Sequence, residues 1–329
     1  MEEHKRSRRV RIISVLSVVL AIAFIGWILY WKATTTSVHQ IQNVTNTTSN
    51  TPQKSQVNSQ AVTATAISPE KIPLGDNKVS STAKSGYVMS CQTSFRTGGA
   101  QHSGDWIGST TWNSTTKPSV AGHVDWPNAK VSTTTKNSTR VISTNDLPLG
   151  SHTGTFPIAL SDPAYQFDTN PNRVISQNIT VGLPQNPLLE TTPICVPMGA
   201  IGYMDNGVAL FSALDDTGRD AAAHEVQDDC DGHPQMIGEY HYHSLSKCLL
   251  ASVTEKSKLI GYASDGFGIF IEKNDSGNLP TNADLDECHG RTSEIDWDGK
   301  QVNMFHYVMT TEYPYSIGCF RGTPVRTRA

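Results

Sequence analysis

The hydrophobic and polar positions divide the chain into three parts. Residues 12–31 form an uncharged, mostly apolar run, and residues 33–85 are largely Thr, Ser, Asn and Gln without an aromatic residue. The remainder alternates short apolar groups with polar turn residues. A long apolar run is typical of a membrane-spanning helix, whereas short apolar groups between turns are typical of strands. The pattern therefore predicts an N-terminal transmembrane helix, a polar linker and a mainly β domain.

The apolar run has the length and the flanking residues of a membrane anchor. As a helix with a rise of 1.5 Å per residue it would span about 30 Å, the thickness of the hydrocarbon core of a bilayer. Basic residues cluster between positions 5 and 11, whereas only Lys32 follows the run directly, and this asymmetry places residues 1–11 in the cytoplasm. A cleavable signal peptide is the alternative, although no small-x-small cleavage pattern follows Trp31. We expect residues 12–31 to be a single-pass signal-anchor in the lipid bilayer, with the rest of the chain in the periplasm or at the cell surface.

The polar part, residues 32–86, has the composition of a flexible linker. It cannot bury enough apolar surface to offset the entropy lost on ordering. We therefore expect the folded, exported domain to comprise residues 87–329.

This domain shows the pattern of short strands joined by turns. Three turn pairs, each flanked by apolar residues, predict hairpins, because Gly tolerates the positive φ of a tight turn. These pairs are Asn206-Gly207, Asp265-Gly266 and Asp298-Gly299. One helix is predicted, from Gly218 to Asp229. The fold class we expect is mainly β, a β-sandwich or a partly open barrel with one or two short helices.

Charge and cysteine content narrow the possible functions. The net charge of −4 gives no indication of general binding to nucleic acid. All six cysteines follow the apolar run, and an even number in an exported domain indicates disulfides. We expect a Cys230–Cys248 bond, which would fix the segment between them, and a Cys288–Cys319 bond.

Tyr240, His241, Tyr242 and His243 alternate with the period of a strand. In a strand, the two histidines would project from one face about 6–7 Å apart, and the two tyrosines from the other. Each neutral imidazole offers one lone pair to a metal ion. The alternative is a half-buried strand in which both histidines are hydrogen-bonded core residues.

The same segment resembles the signature of the bacterial YHYH-domain family. The resemblance extends from about Pro197 to near the C-terminus and includes GRDAAAHEVQDDCDGHPQMIGEYHYHSLSKCL, LIGYASDGFGIF, DLDECHGR and YPYSIGCFRG. It implies no settled activity, so function must be argued from the residues. The later segment Phe305-His306-Tyr307-Val308 looks like a second, degenerate copy of the signature, in which Val308 cannot bind a metal.

Histidines and acidic residues are concentrated together between residues 220 and 306. Imidazoles bind zinc or copper, and carboxylates behind them orient the rings. We predict a divalent transition metal site formed by His241 and His243, by His306 from a neighbouring strand, and by His224 or His289. The residues predicted to surround these ligands are Asp220, Glu225, Asp228, His233, Asp286, Tyr240 and Tyr242.

Other metal-binding patterns are incomplete in this chain. No glutamate follows His243 within five residues, as the cupin pattern would require. Asp228 stands where a zincin helix would carry its second histidine. The acidic stretch at residues 282–293 ends in Ser293 rather than in the bidentate glutamate of a calcium loop.

Two functions are compatible with these residues. The first is a membrane-tethered metalloprotein, either a hydrolase or an oxidase, that uses a metal-bound water or oxygen. The second is a disulfide-stabilised surface module that binds a glycan or a protein, with structural histidines. Trp106, Trp112 and Trp126 would then serve as exposed contact residues, although buried core tryptophans explain them equally well.

Overall fold

The computed structural model describes residues 66–96, 98–99 and 102–326. The predicted cytoplasmic segment, the membrane helix and residues 32–65 of the predicted linker lie outside these ranges. In the part that is described, no helix is both long enough and apolar enough to cross a bilayer. The described residues are mainly β with two short α-helices, as predicted, and this arrangement fits a β-sandwich.

The strands and helices of the described residues are short. The strands are β1 (Ile72–Pro73), β2 (Val79–Ser80), β3 (Val88–Met89), β4 (Thr111–Trp112), β5 (Val124–Asp125), β6 (Val131–Lys136), β7 (Thr139–Thr144), β8 (His152–Thr153), β9 (Ile179–Pro184), β10 (Ala200–Met204), β11 (Ala209–Phe211), β12 (Gly232–Pro234), β13 (Tyr240–Tyr242), β14 (Ser257–Ala263), β15 (Gly268–Glu272), β16 (Gly290–Trp297) and β17 (Lys300–Val308). The α-helices are α1 (Ala221–His224) and α2 (Lys247–Ser252), and 3-10 turns occupy Pro163–Gln166 and Asn282–Asp284.

An eight-stranded sheet organises the domain. Its strand order is β12-β13-β11-β10-β14-β15-β17-β16. The β11–β13 and β15–β17 pairs are parallel, and the other neighbours in the sheet are antiparallel. A three-stranded sheet, β6-β7-β9, packs on it through Ile142, Val181 and Leu183, which contact Ala200 and Tyr203. The main core lies among the tyrosine and aliphatic side chains of the larger sheet and the loops around it.

All three predicted hairpins are confirmed. The β10–β11, β14–β15 and β16–β17 pairs are antiparallel, and their connections contain the three predicted turn pairs. Gly207, Gly266 and Gly299 all have positive φ, at 90°, 92° and 79°. A residue with a side chain would be strained at each of these positions, which is why glycine occupies them.

The predicted helix over residues 218–229 is wrong in its length. Only α1 forms, with Asp220 as its N-cap, and the backbone becomes extended at Glu225. The next residues pair with another segment instead, since Val120 N donates to Gln227 O at 3.0 Å. Tertiary pairing therefore overrides the local helix preference after one turn.

The packed domain begins before residue 87. Ile72 and Leu74 are buried in the main core, and β1 pairs with β4. Two apolar residues of the predicted linker are therefore part of the core of the folded domain.

The described residues contain three disulfides. The expected Cys230–Cys248 and Cys288–Cys319 bonds are both confirmed, and the remaining bond joins Cys91 to Cys195. Trp106 and Trp112 are buried at 4% and 7% exposure, so neither is an exposed contact residue for a ligand.

Candidate metal centre

Two adjacent antiparallel strands position three histidines. His241 lies in β13 and faces His233 of β12 across the strand pair, and His243 directly follows β13. The predicted strand and its two faces are confirmed, because Tyr240 and Tyr242 are fully buried in the main core and the histidines project from the opposite face. The ligand nitrogens of His233, His241 and His243 all lie within 4.8 Å of one another.

The ring orientations direct lone pairs toward one point. His241 Nδ1 donates to the carbonyl oxygen of Glu239 at 3.2 Å, and His243 Nδ1 donates to that of Ser212 at 2.5 Å. These bonds assign the ring proton to Nδ1 and leave the lone pair on Nε2. The two Nε2 atoms are 3.1 Å apart. Two lone pairs at this distance repel each other unless a proton or a cation lies between them.

Glu225 adds a carboxylate to the same point. Its Oε2 atom lies 3.0 Å from His243 Nε2 and 3.3 Å from His233 Nε2. The end of α1 at His224 is what places Glu225 there, since the chain leaves the helix at this residue. Glu225 Oε2 and both ring nitrogens of His233 are buried without a well-aligned hydrogen bond. Buried polar atoms normally have such a partner, so this group is adapted to a ligand rather than to hydrogen bonding within the protein.

The pKa shifts indicate a pocket in which a charged Glu225 carboxylate favours protonation of His243 while His241 stays neutral. Burial raises the pKa of Glu225, but His243 and His233 outweigh it and bring the pKa well below its usual value. Burial lowers the pKa of His241 far below its usual value, and His233 and His243 lower it further. Burial also lowers the pKa of His243, but the charge of Glu225 outweighs this effect and raises it. His241 is therefore an available ligand over the whole neutral range, whereas a metal at His243 would compete with a proton that Glu225 favours.

The other predicted ligands lie elsewhere and have partners of their own. His306 Nε2 contacts Glu272 at 3.2 Å, and His224 Nε2 contacts Asp76 at 2.9 Å. His289 Nε2 lies 3.0 Å from the hydroxyl of Thr310, and burial lowers the pKa of His289 to about 3. The structure therefore does not bring these three histidines to the cluster.

Most residues that we expected around the ligands instead form hydrogen bonds that stabilise the fold. The Asp228 carboxylate accepts from the Tyr240 hydroxyl, and the Asp220 carboxylate accepts from the Tyr315 hydroxyl. Burial raises the pKa of both carboxyls to about 6. Asp286 accepts from two backbone N–H groups of its own loop, and Tyr242 accepts from Asn206.

His233 and Glu225 belong to the cluster itself, a role that sequence reasoning missed. The sequence does contain a signal for His233, because Gly238 favours a tight turn and has φ 82° in the structure. This turn joins β12 and β13 in a hairpin, and the register of the hairpin pairs His233 with His241. Glu225 carries no comparable signal, because its position depends on where α1 ends.

The cluster lies in a cavity of about 760 Å³. Asp168 and His102 line the same cavity as the cluster histidines. Asp168 is 5% exposed, its Oδ1 atom is 3.6 Å from His102 Nε2, and its Oδ2 atom has no hydrogen-bond partner. Burial raises the pKa of Asp168. An acidic group of this kind beside the cluster is suited to accept or deliver a proton.

Comparison with known proteins gives one match. No curated protein and no solved structure matches the chain. The family model described as YHYH protein matches residues 180–280. This range contains His233, His241, His243 and Glu225, together with the Cys230–Cys248 bond. The part of the chain that forms the histidine cluster therefore matches the YHYH family, which supports the resemblance seen in the sequence.

Proposed function

We propose that this protein is an extracytoplasmic, membrane-tethered metalloprotein that acts as a metal-dependent hydrolase. His233, His241, His243 and Glu225 would hold one divalent transition metal ion, zinc or copper. Three imidazoles with a carboxylate are a common ligand set for both metals.

One observation supports this proposal above all others. The Nε2 atoms of His241 and His243 face each other at 3.1 Å, and both Nδ1 atoms already donate to backbone carbonyls. For metal–ligand distances of about 2.0–2.1 Å, two nitrogens of a tetrahedral site are separated by roughly 3.3 Å. The separation of the two rings is thus close to what a shared ion requires.

The cavity would leave room for a water as an additional ligand of the ion, so a catalytic site fits this pocket better than a closed four-ligand structural site does. A bound divalent cation lowers the pKa of a coordinated water and polarises a substrate carbonyl. Asp168 would accept the proton of such a water, and His102 would hold the Asp168 carboxylate in place and pass the proton to the leaving group. The cavity of about 760 Å³ has the size of a typical small-molecule site.

The proposed location rests on the sequence before the domain. The basic residues before position 12 and the apolar run 12–31 support a cytoplasmic N-terminus and a lipid anchor. The three disulfides of the described residues are consistent with an oxidising compartment.

Metal analysis of the full-length chain, purified without a histidine tag, tests the proposal. We expect one equivalent of zinc or copper per chain, and we expect its loss in the variant His241→Ala/His243→Ala. The matched control is His306→Ala, which removes a buried histidine outside the cluster and should retain the metal. Wild-type protein that remains metal-free after dialysis against zinc and against copper would contradict the proposal.

A further inference from the structure

Three segments of the domain occur twice in the sequence. Residues 201–211 read IGYMDNGVALF, and residues 260–270 read IGYASDGFGIF. Residues 228–232 read DDCDG, and residues 286–290 read DECHG. The signature at 240–243 has its degenerate copy at 305–308, as the sequence alone indicates. The copies follow one another in the same order.

The strands that contain these copies are arranged in the same way. The first set, β10-β11-β13-β12, and the second set, β14-β15-β17-β16, each combine an antiparallel, a parallel and an antiparallel pair in that order. The first set is called unit A here and the second unit B. They meet at β10 and β14, where Tyr203 pairs with its own counterpart Tyr262.

Reciprocal hydrogen bonds across this seam show a pseudo-two-fold relation. Asp205 N donates to Ile260 O at 2.8 Å, and Ser264 N donates to Ile201 O at 2.8 Å. Asp205 corresponds to Ser264, and Ile201 corresponds to Ile260, so each bond is the image of the other. Any antiparallel pair exchanges such bonds, and the specific observation is the register, which places Tyr203 opposite its counterpart Tyr262 and so centres the exchange on equivalent residues.

Side-chain contacts within the units also correspond. Asn206 donates to the Tyr242 hydroxyl at 3.1 Å in unit A, and the Tyr307 hydroxyl donates to Asp265 at 2.6 Å in unit B. The two turn residues correspond to each other, and so do the two tyrosines.

The cysteine loops show the same correspondence. Asp228 accepts from the N–H groups of Cys230 and Gly232, and Asp286 accepts from those of Cys288 and Gly290. In each loop the residue before the glycine has positive φ, 62° at Asp231 and 70° at His289. Each loop is also closed by a disulfide.

The strand registers therefore identify the unit B counterparts of the cluster. Arg291 corresponds to His233, because Arg291 pairs with His306 as His233 pairs with His241. Val308 corresponds to His243. The aromatic neighbour is retained, since Phe211 packs on His241 and Phe270 packs on His306.

The Arg291 guanidinium in unit B occupies the position that corresponds to the His233 imidazole in unit A. Arg291 contacts Glu272, and the other oxygen of Glu272 lies 3.2 Å from His306 Nε2. Glu272 and His306 are 8% and 0% exposed at their side chains. A buried carboxylate and imidazole need a cation, and a guanidinium supplies its charge without coordination chemistry.

We propose that the domain is a tandem duplication of one metal-binding unit, and that in unit B Arg291, at the position of His233, supplies the positive charge that pairs with Glu272 in place of a metal ion. Unit B then retains the strand arrangement of the site but lacks its set of metal ligands. The domain therefore binds one ion rather than two. The proposal rests on the proposed metal centre of unit A for the nature of the ancestral ligand.

The reverse substitution tests this idea. In the full-length chain carrying His241→Ala/His243→Ala, which disables unit A, we would add Arg291→His/Val308→His and measure zinc affinity by competition with a chromophoric chelator. We expect a gain of one zinc per chain with an affinity at least about 100-fold above that of the parent. The control, Arg291→Gln/Val308→Ala, removes the guanidinium without supplying imidazoles and should show no gain.

Far-UV circular dichroism establishes whether each variant is folded. If the double substitution in unit B unfolds the protein, the single substitution Arg291→His, which retains the buried Val308, is compared with Arg291→Gln in the same assay. A folded variant that binds zinc no better than its control overturns the proposal. If the unit B variant binds zinc but wild-type protein, with unit A intact, binds none, the proposed function is refuted and the duplication remains supported.

Discussion

Glu225→Gln is the substitution that most directly tests whether the cluster is a metal centre. The amide has nearly the shape of the carboxylate but lacks the charge that faces His243 at 3.0 Å and His233 at 3.3 Å. A four-ligand zinc site contributes about 10–16 kcal/mol, so one ligand accounts for roughly 2.5–4 kcal/mol. Since about 1.4 kcal/mol corresponds to a factor of ten, we expect zinc affinity to fall roughly 100- to 1000-fold.

Thermal unfolding with and without zinc makes this loss measurable. Free zinc at about 1000 times the dissociation constant stabilises the folded protein by about 4.1 kcal/mol. If the affinity falls about 100-fold at the same zinc concentration, about 1.4 kcal/mol remains. At roughly 2–4 °C per kcal/mol, the zinc-dependent gain in Tm should drop from about 8–16 °C to about 3–6 °C.

Glu239→Gln is the matched control. Glu239 is also a buried glutamate, at 6% exposure, and lies in the turn between β12 and β13, but its carboxylate contacts Gln235 instead of the cluster. This variant should retain the wild-type gain in Tm. An equal gain in Glu225→Gln and in wild-type protein would refute the role of Glu225 as a ligand.

Three further predictions follow from the contacts of individual residues. His306→Ala should lower the melting temperature, because it leaves Glu272 buried beside Arg291 alone, but chelator titration should show unchanged zinc affinity. Zinc affinity should fall by up to about tenfold per pH unit below the raised pKa of His243, because zinc must displace a proton from this residue at low pH. Isothermal titration calorimetry at about pH 8 and pH 5.5 would measure this change. An affinity that does not depend on pH would contradict the prediction. Asp168→Asn should retain the metal but reduce hydrolysis of an activated ester by about 100-fold or more, and the same variant with undiminished turnover would exclude Asp168 as the proton acceptor.

The local pattern of the sequence was sufficient for the strands and turns near the site. The alternation at Tyr240–His243 predicts β13 and its two faces, and Asn206-Gly207 predicts the hairpin beside it. Both signals concern neighbours in the chain, where periodicity and turn chemistry determine the geometry. The Cys230–Cys248 pairing could be predicted for the same reason, because this bond closes a short loop.

The residues that lie next to these histidines could not be predicted from the sequence, because they depend on the order of the strands in the sheet. We expected His306 to come from a strand neighbouring that of His241, but β13 and β17 are separated by β11, β10, β14 and β15. Five steps of about 4.8 Å place the two strands roughly 24 Å apart. Glu225 was equally inaccessible, because the helix preference extends past the residue at which tertiary pairing ends α1.

The Cys230–Cys248 bond has a consequence for how the protein matures. All three imidazoles of the cluster lie within the loop that this bond closes, a separation of 18 residues that corresponds to about 3 kcal/mol of stabilisation. His152 lies beside the two bonded sulfur atoms, and as free thiolates these would compete for the ion, because thiolates bind zinc more avidly than imidazoles alone. Disulfide formation removes this competitor and encloses the ligand strands at the same time. We therefore expect correct metal binding to follow formation of the Cys230–Cys248 bond.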